Sequence, residues 1–103
     1  MTLSGKEKAA LRAEAHHLPV LVHVGKEGLT PAVFGSLDDA LRTRELVKVQ
    51  LGKTVEPKAR DVARALATEA AAEVVQVIGR TFTLYRHNPE LKRKAGDPPP
   101  WRK

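Results

Sequence analysis

Two hydrophobic spacings alternate along this chain, and their order restricts the fold more than any other feature. Pro19-Val20-Leu21-Val22-His23-Val24 is a short β-branched run of the kind that forms a buried strand. Val33, Phe34, Leu37, Ala40 and Leu41 then recur three and four residues apart, which predicts one apolar helix face. Leu46 to Leu51 alternates toward its end, with Lys48 and Gln50 off the apolar side, and predicts a second strand. Val62, Ala63, Leu66 and Ala70 return to helical spacing. Val74–Ile78 and Thr81–Arg86 read as two strands around Gly79-Arg80, and a two-residue connection with glycine first suits a type II′ hairpin. Strands joined through helices favour parallel pairing with right-handed crossovers, whereas the hairpin adds an antiparallel pair.

Capping residues punctuate the same order. Ser4 and Glu7 match a capping box that opens a first helix running to His16 and stopping before Pro19. Thr30-Pro31 places an N-cap residue before a proline at the first helical position, and this second helix ends near Thr43. Gly52 to Glu56 is a connection, and Pro57 opens the third helix. The expected fold is α/β: helix-strand-helix-strand-helix-strand-strand, a four-stranded mixed sheet packed with helices. Residues 1–87 form one domain. Only four of the 103 residues are aromatic, so its core must rest on Val, Leu, Ile and Ala. Residues 88–103 contain Lys92-Arg93-Lys94, Pro98-Pro99-Pro100 and Trp101, too little apolar surface for a core, and read as a flexible basic tail.

Several functions are disfavoured by what the chain lacks. It has no cysteine, which excludes a disulfide scaffold and thiolate metal sites. No apolar run approaches the roughly 20 residues of a membrane span, and the N-terminus has no signal-peptide core, so a soluble, unprocessed, cytoplasmic protein is expected. His16, His17, His23 and His87 show no metal-site spacing. Asp38 and Asp39 are adjacent on a helix and diverge, a poor general acid/base pair. Ser4 is a cap, Ser36 is in a helix, and no Walker loop is present. No catalytic residue, cofactor, metal or small-molecule substrate is expected.

Charge points instead to a polyanion. Eighteen Lys and Arg oppose twelve Asp and Glu, giving +6 and a pI near 10.0. Such a domain gains affinity for phosphate backbones through counterion release. Charge alone leaves RNA, DNA, anionic lipid and an acidic protein partner open, although no helix-turn-helix or zinc-finger pattern is present. Residues 88–103 carry five basic against two acidic residues, or +3, half of the total.

The candidate phosphate site is Gly25-Lys26-Glu27-Gly28, followed by Thr30. Glycines let a ligand backbone approach, Lys26 adds charge, and helix N-terminal amides supply donors and a partial positive charge. A GxxG loop clamps the nucleic-acid backbone in KH modules, but two glycines three apart also describe an ordinary turn. Glu27 opposes phosphate. Lys53, Lys58, Arg60 and Arg64 surround the start of the third helix. Arg60 and Arg64, one turn apart, either track phosphates or belong to a solvated face with Glu56 and Asp61. Arg80 and Arg86 lie on the last hairpin, and Lys92, Arg93 and Lys94 add nonspecific attraction. Tyr85 and Trp101 are potential base-stacking groups, with sheet packing the expected role of Tyr85.

Motifs along most of the chain resemble the YhbY family. They comprise Leu3-Ser4 with Lys6, Lys8, Leu11 and Arg12; Ala15-His16-x-Leu18-x-Val20; Val24-Gly25-Lys26-x-Gly28-Leu29-Thr30; Glu45-Leu46-Val47-Lys48-Val49; and Val75 to Thr81 with Leu84-Tyr85-Arg86. They occur in order over residues 2 to 87. This family is the bacterial stand-alone form of the chloroplast RNA splicing and ribosome maturation (CRM) domain. The resemblance implies an RNA-binding fold similar to the C-terminal domain of translation initiation factor three. It further implies association with ribosomal RNA in precursors of the large ribosomal subunit; separately, a monomer is expected.

Overall fold

The computed structural model describes residues 5–25, 28–52 and 59–87. The Ser4 cap, Lys26, Glu27, Lys53, Pro57, Lys58 and the tail with Lys92, Arg93, Lys94 and Trp101 lie outside the described residues. The elements are α1 (Gly5–Ala15), β1 (Val20–Val24), α2 (Pro31–Arg44), β2 (Leu46–Leu51), α3 (Ala59–Ala70), β3 (Glu73–Ile78) and β4 (Thr81–Tyr85). No helix among the described residues is long and apolar enough to cross a membrane.

The four strands form one mixed sheet in the order β1-β2-β4-β3. β1 pairs with β2 in parallel, as the first strand–helix–strand unit predicts. The second unit differs. β2 and β3 are each antiparallel to β4, so they share a direction but are separated by it. Burial accounts for this insertion. Phe82, Thr83 and Leu84 are all buried and need neighbours on both sides, whereas β3 carries Glu73, Gln76 and the exposed Ile78, which tolerate an edge. The tight hairpin permits it. Gly79 has φ 58 and Arg80 has no positive φ, the combination that a type II′ turn requires.

Strand alternation divides the core between the two sheet faces. Val47, Val49, Leu51, Phe82 and Leu84 point at α2 and α3, meeting Leu37, Leu41, Val62, Ala63 and Leu66. The opposite face holds a smaller cluster in which Leu11 of α1 covers Leu46 and Val75, flanked by Leu18 and Tyr85. Tyr85 thus packs on the sheet, as expected. Val, Leu and Ala dominate the larger cluster and Leu and Val the smaller, but isoleucine contributes nothing: Ile78 is 58% exposed.

Two helix ends lack the glycine that usually accepts a left-handed conformation. α3 closes with Ala71 at φ 54, where the Ala72 amide donates to the Ala67 carbonyl and the Ala71 amide to the Thr68 carbonyl, a Schellman arrangement. α2 closes at Glu45, which has φ 65 and is 1% exposed. Only this residue separates α2 from β2, so it must turn the chain itself.

Candidate nucleic-acid interface

Parallel pairing of β1 with β2 sends the chain out of both strands at the same end of the sheet. The β3–β4 turn lies at that end too, because Ile78 pairs with Thr81 and Thr81 with Gln50. Two backbone hydrogen bonds tie the three connections together. The Gly52 amide donates to the Val24 carbonyl at 2.9 Å, and the Leu51 amide to the Arg80 carbonyl at 2.8 Å. The glycine loop, the start of α3 and Arg80 are thereby gathered at one edge, and α2 and α3 both begin there.

The glycine loop is a closed turn. The Gly28 amide donates to the Gly25 carbonyl at 2.9 Å, and Gly28 has φ 76, a conformation that disfavours other residues. Gly25 has open space around it and no positive φ, so its missing side chain answers no internal need. Thr30 caps α2: its Oγ1 accepts from the Val33 amide at 3.3 Å. This narrows the expected supply of free amides. Pro31 has none, Val33 is taken by the cap, and the Phe34 amide donates to the Thr30 carbonyl. The Ala32 amide and the Thr30 hydroxyl hydrogen are what the first turn can still offer an anion, together with the helix dipole.

Three expected cations sit at this end and are exposed: Arg60, Arg64 and Arg80. Among the described residues, none of the three forms an ion pair. Asp61 therefore does not neutralise Arg64 one turn away. Arg86 is different. It lies past the other end of β4, where its guanidinium donates to the Ala70 carbonyl at 2.8 Å and the Asp38 carbonyl at 3.2 Å. It also contacts the Asp38 carboxylate at 2.9 Å. Arg86 braces α2 and α3 against the sheet, at the end opposite the glycine loop.

Two features escaped sequence reasoning. The first is the part of the sheet that α1 leaves uncovered, where His16, Lys48, Gln76, Ile78, Thr81 and Thr83 line a cavity of about 230 Å³. Alternation in β2 signalled the polar side of this face, but not that it would lie beside Arg80. The second is a groove of about 570 Å³ between the α2 N-terminus and α3, lined by Leu29, Phe34, Asp61, Arg64, Ala65, Thr68 and Glu69. The spacing of residues 61 to 69 marks one helix face, yet no local pattern pairs it with Leu29 and Phe34.

Among the described residues, no group of three His, Cys, Asp or Glu side chains could hold a metal ion. Asp38 and Asp39 diverge, the former meeting Arg86 and the latter Arg42 at 2.7 Å. His87 Nδ1 lies 3.1 Å from the buried Glu45 carboxylate, at the brace end of the sheet.

Known proteins of similar sequence share this fold. The model of the CRS1 / YhbY (CRM) domain matches residues 3–86. A Bacillus subtilis relative named "Probable RNA-binding protein YqeI" is 40% identical over 91 residues, spanning 88% of this chain and 95% of its own. A Haemophilus influenzae protein named "RNA-binding protein" is 37% identical, covering 88% and 92% of the two chains. A Methanocaldococcus jannaschii relative, also named as a probable RNA-binding protein, is 41% identical over 94% of this chain and 73% of its own. The solution structure of a Staphylococcus aureus protein superposes with a TM-score of 0.76 at 34% identity, covering 88% of this chain and 95% of that one.

Proposed function

Because the chain belongs to the CRS1 / YhbY (CRM) domain family, we propose that it is a noncatalytic RNA-binding protein acting on ribosomal RNA in large-subunit precursors. It works in the cytoplasm as a monomer, holding a segment of immature RNA and leaving later. The observation that carries the reading is convergence at one sheet end. The Gly25–Gly28 turn, the capped start of α2, Arg80 and the Arg60–Arg64 face of α3 all meet there. Glycine permits close approach of a phosphate, the helix terminus offers donors, and guanidinium groups with no ion pair among the described residues supply charge. The names of the relatives support RNA as the polyanion. The ribosomal target rests on the family resemblance.

Gly25→Ala tests the site. A Cβ at Gly25 meets nothing within 4 Å, so the fold should be unchanged while a bound phosphate backbone is held away. RNA affinity measured by fluorescence anisotropy should fall about tenfold at an unchanged melting temperature. Unaltered affinity would remove the loop from the interface. For the ribosomal target, the tagged protein should sediment with large-subunit precursors on a sucrose gradient and be released by RNase. Protein remaining at the top of the gradient in low salt would refute that assignment.

A further inference from the structure

The groove beside the glycine loop carries the wrong charge for a phosphate backbone. Leu29, Phe34 and Ala65 give it an apolar floor, while Asp61 and Glu69 put two carboxylates on its α3 side. Neither carboxylate is ion-paired among the described residues. Leu29 follows Gly28 directly, so a nucleotide whose phosphate rests on the Gly25–Gly28 turn is within one residue of the groove. Leu29 and Phe34 occupy the N′ and N4 positions of a hydrophobic staple around Thr30, which fixes their mutual position. The staple leaves Leu29 37% exposed, so apolar surface still faces outward.

We propose that this groove receives one unpaired guanine of the RNA held by the loop, with the base against Leu29 and Phe34 and its edge toward Asp61. The inference rests on the RNA-binding reading and adds a base preference to it. Unpaired bases are recognised by stacking on aromatic rings or guanidinium planes together with hydrogen bonds at their edges. An ionised carboxylate only accepts hydrogen bonds. Guanine alone presents two adjacent N–H donors, N1–H and the N2 amine, on one edge. Adenine and cytosine place a ring-nitrogen acceptor beside their amine, and uracil flanks its single N–H with two carbonyls. A carboxylate therefore attracts the guanine edge and is opposed by an acceptor on each of the others.

Position selects Asp61 over Glu69. Asp61 is in the first turn of α3, which begins at the same sheet end as α2 and the loop. Glu69 is eight residues farther along, about 12 Å at the helical rise, and is out of reach of the same base. Arg64 lies between them, where its guanidinium can hold the flanking phosphate or cover the open face of the base.

The test uses a fluorescein-labelled oligouridine of about nine nucleotides carrying one central guanosine, adenosine, cytidine or inosine, followed by anisotropy. Guanosine should bind about tenfold more tightly than adenosine or cytidine, as a bidentate edge contact provides. Inosine, which lacks the N2 amine, should fall between them. Asp61→Asn should reduce the preference to within about twofold by weakening the guanosine probe, without weakening plain oligouridine, whereas Glu69→Gln should retain the preference. Equal binding of all four probes by the unaltered protein, or a guanosine preference that survives in Asp61→Asn, would overturn the inference while RNA binding stood. Failure to bind any probe, plain oligouridine included, at low salt would overturn the RNA reading and this inference with it.

Discussion

Arg86 separates stability from binding most sharply, because its position in sequence suggests the interface and its contacts specify a brace. Its side chain is 20% exposed. One guanidinium nitrogen reaches the Ala70 carbonyl at the C-terminus of α3, where the helix dipole favours a cation. The same group spans to α2 through the carboxylate and carbonyl of Asp38. A hydrogen bond involving a charged group contributes roughly 1.5–3 kcal/mol. The ion pair to the half-exposed Asp38 adds under about 1 kcal/mol. Arg86→Ala should therefore cost about 2–3 kcal/mol, or roughly 8–24 °C in melting temperature for a domain of this size. Arg86→Lys keeps the charge but loses the planar fork that spans two partners, and should lose about half as much. Urea denaturation should show a lower midpoint at an unchanged slope. RNA affinity, measured where both proteins are folded, should match within twofold. A melting temperature within about 3 °C of the original would refute the brace, and weaker RNA binding by a fully folded variant would place Arg86 in the interface.

The two unusual helix positions call for opposite substitutions. Gly35 is exposed within α2 and a Cβ there meets nothing within 4 Å, so Gly35→Ala should stabilise by about 0.5–1 kcal/mol in chemical denaturation. Ala71→Gly should also stabilise, by up to about 1 kcal/mol, because it relieves the left-handed backbone at φ 54; a loss would show that chain entropy outweighs that strain.

Much of the fold was legible because its signals were local. Thr30-Pro31 announced a capped helix start, Gly79-Arg80 announced a two-residue hairpin, and Lys48 and Gln50 marked the polar side of β2. The order of strands was not legible. It depends on β4 being buried along three successive residues, and neither propensity nor periodicity states which neighbour a strand takes. The end of α2 was hidden for a related reason: Glu45 adopts φ 65 because a one-residue connection between helix and strand compels it, not because its own chemistry prefers it. At the candidate site, the glycine loop and Arg80 were visible as turn residues. The groove was invisible because it arises where the first turn of α2 meets residues 61 to 69, about 30 positions later. The bracing contacts of Arg86 were hidden because sequence shows that a cation follows a strand, but not which carbonyls lie within its reach.

The topology also explains why one end of the molecule suits a polyanion. With β1 and β2 parallel, both crossover helices start at the end where those strands finish, adding two partial positive charges to the exposed Arg60, Arg64 and Arg80. Ligands of open parallel sheets gather beyond the carboxyl ends of the strands for the same reason. At the opposite end, Arg86 pairs with Asp38 and His87 lies against the Glu45 carboxylate. A chain of net charge +6 could instead attract RNA diffusely, with every cation equivalent. Arg80→Glu and Arg42→Glu distinguish these cases, because each changes net charge equally. Arg42 is exposed in the last turn of α2 and paired with Asp39, away from the loop. Diffuse attraction predicts equal losses from the two variants. The gathered site predicts that Arg80→Glu lowers affinity at least tenfold and reduces the slope of log affinity against log salt by about one, while Arg42→Glu changes either by little. Equal slopes and equal losses would show that position at the sheet end does not matter, and the interface would reduce to net charge.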